Sequence, residues 1–402
     1  MEKVSFQHSN KPYLNRKVTG LPSIHENLVA LRRFPVLPAE SLQIERRIDA
    51  AVDWIITAAS ATNQGGISKG YSLLRGRWAP SYPETTGYSI PTLLNVARIF
   101  DRPELFRFTI ALADYLLECR TPEGGVAHFQ TKAKSNPVVF DTGQVIFGWL
   151  AAYSAGEERA HLEAAGQAGD WLVQVQHSSG IWREFQHRYL EKVIDTRVAW
   201  ALLELYQVTH QDAYRQAAIR NLEWAIERQD PDGWFNECSL VTGEDPLTHT
   251  LAYAAEGFLE CGRLLNEPRY FASAKLTADA LLSHQKPDGS LASTYASGWR
   301  ETSSSSCLTG NCQIAHLWLR LNSLYSDPSY LTSAIKALRF VAQTQNLATS
   351  NRNIRGGIAG SFPIFGRYER FKYPNWAAKF YIDALLALNE QTLPASTRNY
   401  VG

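Results

Sequence analysis

The chain has 402 residues, 45% hydrophobic and 20% charged, which is enough apolar material for a sizeable core and too much for a disordered chain. Its 40 Lys and Arg nearly cancel 39 Asp and Glu, leaving +1, which excludes a generally basic nucleic-acid binder and a disordered acidic tail. Five scattered cysteines form no disulfide framework, no apolar run approaches membrane-spanning length and no secretory leader is visible, so a soluble cytoplasmic protein is expected.

In chain order, residues 1–40 read as an irregular arm. A pattern then begins that recurs six times. Residues 41–60 form an amphipathic helix, followed by the turn Asn63-Gln64-Gly65-Gly66 and, after irregular residues, a more apolar helix from near Glu84. The second unit has a helix over 103–120, where Phe106, Ile110, Ala113, Leu116 and Leu117 share a face. The turn Thr121-Pro122-Glu123-Gly124-Gly125 and an apolar helix from near Asp141 follow. The third has a helix over 158–176, His177-Ser178-Ser179-Gly180 and a helix from Asp195; the fourth has 211–229, Asp230-Pro231-Asp232-Gly233 and a helix from His249. The fifth has 268–285, Lys286-Pro287-Asp288-Gly289 and a helix from Thr309; the sixth has 328–345, Arg355-Gly356-Gly357 and a helix from Asn375. Residues 392–402 read as a short tail.

Pro-Asp-Gly and Gly-Gly are turn chemistry, Pro fixing φ and Gly supplying positive φ. The last glycines lie 59, 55, 53, 56 and 68 residues apart, a period of one helical pair. An amphipathic helix followed by one apolar on all sides is an outer helix followed by an inner one. Twelve helices in six outer–inner hairpins predict an all-α (α/α)6 toroid, one domain over 41–391. An open α-solenoid is the rival; closure is preferred because six is the common closing number and neither end reads as a polar cap.

Gln176-His177-Ser178-Ser179-Gly180-Ile181-Trp182 matches the Gln-x3-Gly-x-Trp repeat of squalene and terpenoid cyclases. Gln229 to Trp234 and Gln285 to Gly289 are partial copies. Over about residues 40–390 the chain resembles the α/α-toroid group, which contains terpenoid cyclases, protein prenyltransferase β subunits and six-hairpin glycan hydrolases and lyases. The resemblance implies architecture more than chemistry, because one fold hosts many functions.

In such a toroid the inner-helix starts converge on one bowl. They carry Glu84 with Tyr88; Asp141 with Gln144; Asp195 with Arg197; Thr248, His249 and Tyr253; Asn311 with Gln313; and Asn375, Trp376 and Lys379. Capping explains Asp141, Asp195, Thr248 and Asn375 equally well. It explains Glu84, His249, Tyr253, Arg197 and Gln313 less well, since uncompensated polar burial in apolar helices is costly. Six helix N-termini would favour an anionic ligand. The rim loops add Arg75, Arg77 and Trp78; Trp182, Arg183 and Glu184; His187, Arg188 and Tyr189; Trp299 and Arg300; and Arg367 with Arg370. Aromatic faces stack on sugar C–H groups and Arg holds a carboxylate or sulfate, although surface loops paired with acids would look the same.

Two chemistries fit. Hydrolysis needs two carboxylates, with Glu84 and Asp141 first and Asp195 in reserve. Elimination or epimerisation at a uronate needs a base and cations, for which His249 and Tyr253, one turn apart, and Arg197 would serve. The expected catalytic residues are therefore Glu84, Asp141, His249 and Tyr253. Arg75, Arg77, Trp78, Tyr88, Gln144, Arg197, Asn311, Gln313, Trp376 and Lys379 are the expected substrate contacts. The Asp-x-Asp-Asp run of protonation-started cyclases and an Asp-rich diphosphate helix are absent; Cys307, Cys312 and His316 are close in sequence without convincing zinc geometry. Nucleotide-binding and serine-hydrolase motifs are also absent. No metal or cofactor is expected. The leading reading is an enzyme acting on an acidic glycan or oligosaccharide; the alternatives are an isoprenoid cyclase-like enzyme and a non-catalytic glycan-binding scaffold.

Overall fold

The computed structural model describes residues 42–129, 136–156, 158–186 and 191–392. The arm over 1–40, the tail beyond Thr392 and the expected rim residues His187, Arg188 and Tyr189 lie outside the described residues.

Among the described residues twelve α-helices alternate between an outer and an inner layer. The outer six are α1 (Ile44–Ser60), α3 (Pro103–Leu117), α5 (Arg159–Gln174), α7 (Asp212–Ile226), α9 (Pro268–Ser283) and α11 (Pro328–Thr344). The inner six are α2 (Pro83–Ile99), α4 (Val139–Gly156), α6 (Thr196–Thr209), α8 (Thr248–Leu265), α10 (Leu308–Tyr325) and α12 (Asn375–Thr392). The layers differ as their sequences do. In α8 every residue from Thr248 to Gly262 is buried, whereas α7 buries one stripe, including Tyr214, Ala217, Ala218, Asn221, Leu222 and Ala225.

The ring is closed. After each outer helix the glycine turn crosses onto the next outer helix. At Gly180 (φ 88°) a Cβ would stand 2.2 Å from Arg220 O of α7, which leaves glycine as the fitting residue. The same contact recurs around the molecule, and the sixth turn returns to the first helix, with Gly356 against Ala50 of α1. A glutamine at the end of the outer helix fastens four of these crossings, three of them through the Gln-x3-Gly signature. Gln176 Nε2 donates to Gly180 O (3.0 Å) in its own turn and to Ala217 O (2.9 Å) of α7. Gln285 does the same with Gly289 O and Ser333 O, and Gln345 joins Gly356 O (2.9 Å) to Arg47 O (3.1 Å) of α1. In the inner layer Asn375 Nδ2 of α12 donates to Thr85 Oγ1 of α2 (2.7 Å) and to Ser68 O (2.8 Å).

The hairpins differ from the expected pairing. Of the outer helices, each inner helix packs most on the one that follows it, as α2 does on α3 and α8 on α9, through connections such as Asn266-Glu267. The sixth pair is then α12 with α1, the two ends of the described chain. Short strands absent from the sequence reading edge the rim. β1 (Gly70–Ser72) lies between β2 (Arg77–Trp78) and β7 (Lys372–Pro374); β3 (Tyr295–Ala296) pairs with β4 (Arg300–Glu301), and β5 (Ser306–Cys307) with β6 (Ser361–Phe362).

The inner helices do not start level. Thr196, the first residue of α6, packs beside Gly257, well inside α8, and its hydroxyl donates to Ala254 O (3.3 Å). A 3-10 turn, Val193–Asp195, occupies the space above. By contrast Gly310 of α10 lies beside Thr248 and His249, at the very start of α8.

Candidate active site

Above the first turns of α2, α4, α8 and α12 lies a cavity of about 350 Å³. Tyr82, Glu84, Thr85, Tyr88, Phe140, Ile194, His249, Tyr253 and Trp376 line it from the helix starts; Lys69, His128, Lys192, Leu240, Tyr368 and Glu369 come from the loops. Its size is at the lower end for small-ligand sites, and its walls combine aromatic rings with a few convergent polar groups.

Three proton-transfer groups face it. Glu84, the second residue of α2, is 8% exposed and shares a hydrogen bond with the Tyr82 hydroxyl. Burial first, then the nearby charges of Asp141 and Glu84, push the Tyr82 phenol well above its usual range. His128 lies 2.8 Å through Nδ1 from Oδ2 of Asp141, which is completely buried behind it. A carboxylate that accepts from Nδ1–H fixes the tautomer and orientation of the ring. On the far wall His249 donates from Nδ1 to Gln313 Oε1 (2.5 Å) and packs at a tilt against the Tyr253 ring, 4.3 Å away. Burial lowers His249 to about 4, against the opposing Gln313 hydrogen bond and with help from the Arg197 charge, so it is neutral near pH 7.

Positive charge also faces the cavity. Lys69 Nζ lies 4.7 Å from the Tyr82 ring and 5.8 Å from Phe129 and Trp376, with no carboxylate partner among the described residues. Lys192 is 3% exposed in the same wall. Glu369, an acid of the opposite rim, is engaged by Lys372 at 2.6 Å.

The expected site residues divide into several groups. Glu84, Tyr88, His249, Tyr253 and Trp376 line the bowl. Asp141 and Gln313 stand behind it, each holding an imidazole. Arg197 is a correction. Because α6 starts deep, its guanidinium lies under the bowl floor, bonded to Gln144 Oε1 (2.9 Å) and to Glu256, and packs 4.8 Å from the Tyr253 ring. Gln144 is thereby a structural partner. Lys379 also lies below, 2.6 Å from Asp383 and 4.1 Å from the Phe380 ring. Asn311 is a latch: its Oδ1 accepts from Leu291 N (3.1 Å), two residues after Gly289, as Thr86 and Thr142 accept from Ile67 N and Val126 N after their own turns. Arg75, Arg77 and Trp78 line a separate groove on the rim. Trp182 and Trp299 are spent on Leu172 O and Asp232 O.

Nor do the expected caps act as caps. Asp195 accepts from Gln186 Nε2 (2.6 Å) and makes no side-chain cap bond, and Asn375 closes the inner ring. His128, Lys69, Tyr82, Lys192 and Tyr368 were missed, since they lie in loops or just ahead of a helix, where no period marks a direction.

Among the described residues no group spaced for a metal lies in the bowl. Cys312 is fully buried and His316 turns to Glu256 (3.5 Å). Among the described residues the one group spaced for a metal is Asp114, Glu158 and His161 on the outer layer, where His161 Nε2 already meets Asp114 Oδ1 at 3.0 Å.

No family model and no curated protein matches the chain. Solved structures do. An unsaturated glucuronyl hydrolase specific for heparin superposes with a TM-score of 0.70 at 16% identity, covering 87% of this chain and 97% of that one. A sugar epimerase from a ruminal bacterium gives 0.71 at 12% identity over 88% and 99%. An unsaturated glucuronyl hydrolase mutant from Streptococcus agalactiae, complexed with dGlcA-GalNAc6S, gives 0.65 at 14% over 91% and 95%. The likeness is one of fold: this chain has the six-hairpin α/α-toroid architecture of those glucuronyl hydrolases and that sugar epimerase.

Proposed function

We propose that the chain is an acid–base enzyme that acts on a terminal uronate-type residue of an oligosaccharide and cleaves its glycosidic bond by hydrolysis or elimination. One observation carries this reading: Lys69, Glu84 and the Asp141-held His128 converge on one small aromatic cavity. Lys69 and Lys192 are placed to hold a sugar carboxylate, while Tyr82, Phe140 and Trp376 offer faces for the ring. Glu84 and the Asp141-held His128 are the acid and base, replacing the Glu84–Asp141 pair expected from sequence. The fold shared with glucuronyl hydrolases supports the substrate class. An isoprenoid cyclase would want an apolar wall, and this cavity has charged groups on several sides.

Epimerisation is the second reading. It is favoured by two imidazoles, His128 and His249, each fixed by a partner and facing the same cavity, as removal and return of one proton would use.

Mass spectrometry of uronate-terminated oligosaccharides incubated with the protein separates the outcomes. Release of the terminal residue with gain of water is hydrolysis, and release without it is elimination. An intact saccharide carrying deuterium from heavy water is epimerisation. Saccharide binding with no product in any of these assays would sink the enzyme reading and leave a binding scaffold.

A further inference from the structure

We infer that the rim groove beside the bowl is a second saccharide site, which holds the sulfated or uronate-bearing residues that follow the terminal sugar. The inference rests on the bowl being the site of an acidic terminal residue. The groove has a volume of about 780 Å³ and runs between the turn at 61–64, the β2–β1–β7 sheet and residues 369–372. Lys69 and Glu369 line both it and the bowl, so the two spaces adjoin. A chain with its end in the bowl has this groove as its way out.

The groove gathers positive charge: Arg75, Arg77, Arg370, Lys69 and Lys372 line it, against the single acid Glu369. Arg183, Arg263, Arg269 and Arg320 each have a carboxylate partner. Arg75 and Arg77 of the β1–β2 hairpin and Arg370 opposite have none among the described residues, although all three are exposed in the groove. Glu369, the acid nearest to hand, is taken by Lys372. Beside the arginines Trp78 is held as a fixed plate: its Nε1 donates to Asn353 Oδ1 (3.0 Å), and its ring is set 5.3 Å from both Trp54 and Tyr71. Planar guanidinium groups match sulfate and carboxylate oxygens in pairs, and a fixed indole stacks on a sugar face. Exposed ion pairs are individually weak, so three together should give about a tenfold preference for a chain that reaches them.

Calorimetric titration with a sulfated, uronate-terminated tetrasaccharide and with its terminal disaccharide tests this, using a Glu84→Gln background to suppress turnover. The tetrasaccharide should bind about tenfold more tightly. That preference should shrink as salt rises and vanish in Arg75→Ala/Arg77→Ala/Arg370→Ala, whose circular dichroism should match the parent. Equal affinity for the two saccharides, or a preference retained by the triple variant, would overturn the groove. The bowl is judged separately, by turnover of the disaccharide in the unmodified protein. Turnover with no length preference removes the groove alone, and a length preference with no turnover removes the enzyme reading alone.

Discussion

The two mouths of the toroid are built from the same inner helices and use charge in opposite ways. The far mouth is a funnel of about 660 Å³ lined by all six inner helices towards their C-terminal ends. There every buried charge is matched. Arg197 meets Glu256, which also takes His316; Arg263 and Arg320 share Glu260 at 2.9 Å each; and Lys379 meets Asp383, which accepts from Thr92 as well. In the bowl, Lys69 rests on aromatic rings instead, and the two imidazoles are oriented by Asp141 and Gln313. Tyr88, Tyr253 and Phe380 form the floor between the two. One end spends its charges on holding helices together, and at the other they face the cavity.

The difference is broken most directly from the bowl side. Glu84→Gln or His128→Ala should lower turnover by about 10²–10⁴-fold, the usual share of a general acid or base, with the thermal unfolding midpoint unchanged. A fall in stability instead would make the bowl structural like the funnel. On the funnel side Glu256→Ala strands Arg197 in a buried site and should cost about 3–5 kcal/mol in urea unfolding. Replacing both partners with methionine should recover most of that loss, since a buried pair gains little over packed apolar groups.

A pH series sharpens the same contrast. His249 sits at about 4 in the folded protein against an ordinary 6.5. The unfolded chain therefore takes the proton first, and stability should fall as pH drops from 6.5 to about 4. Glu256 is held at about 2 from an ordinary 4.5: burial alone would raise it, but Arg197 and His316 outweigh that. Its contribution is present above 4.5 and is lost only as pH falls towards 2. Urea midpoints should thus decline in two stages, and His249→Gln should flatten the upper one; an unchanged upper slope would acquit His249. The smallest effect belongs to the floor. Tyr253→Phe removes a hydroxyl whose partner is Tyr88 and should cost about 1 kcal/mol, with turnover changed less than by His128→Ala.

The architecture was legible because it is written in periods. Glycines such as Gly180 and Gly356 mark crossings where only a residue without a Cβ fits, and apolar positions separate α7 from α8. The starts of α2 and α8 therefore placed Glu84, His249 and Tyr253 towards the bowl. Arg197 was misplaced because sequence does not show axial offset: the 3-10 turn at 193–195 looks like a helix start but drops α6 below the rim. His128 and Lys69 were invisible for another reason. A loop residue takes its direction from tertiary contacts, here Asp141 for the first and the Tyr82 ring for the second. Asn311 looked like a substrate ligand because a buried amide that holds a loop N–H has the same local sequence as one that holds a sugar.

The pairing of α1 with α12 has a consequence for how the molecule is made. Gln176 reaches a partner 41 residues away, but the bonds from Arg47 to Gln345 and from Trp54 to Asn353 span 298 and 299. The inward face of α1, with Trp54, Ile55 and Ala58, therefore emerges from the ribosome first and finds its cover last. At about 5–20 residues per second it waits roughly 15–60 s. During that interval the nascent chain is an open arc with an uncovered apolar edge. A chaperone that binds such edges would find its target once α1 is made, and let go only when α12 arrives.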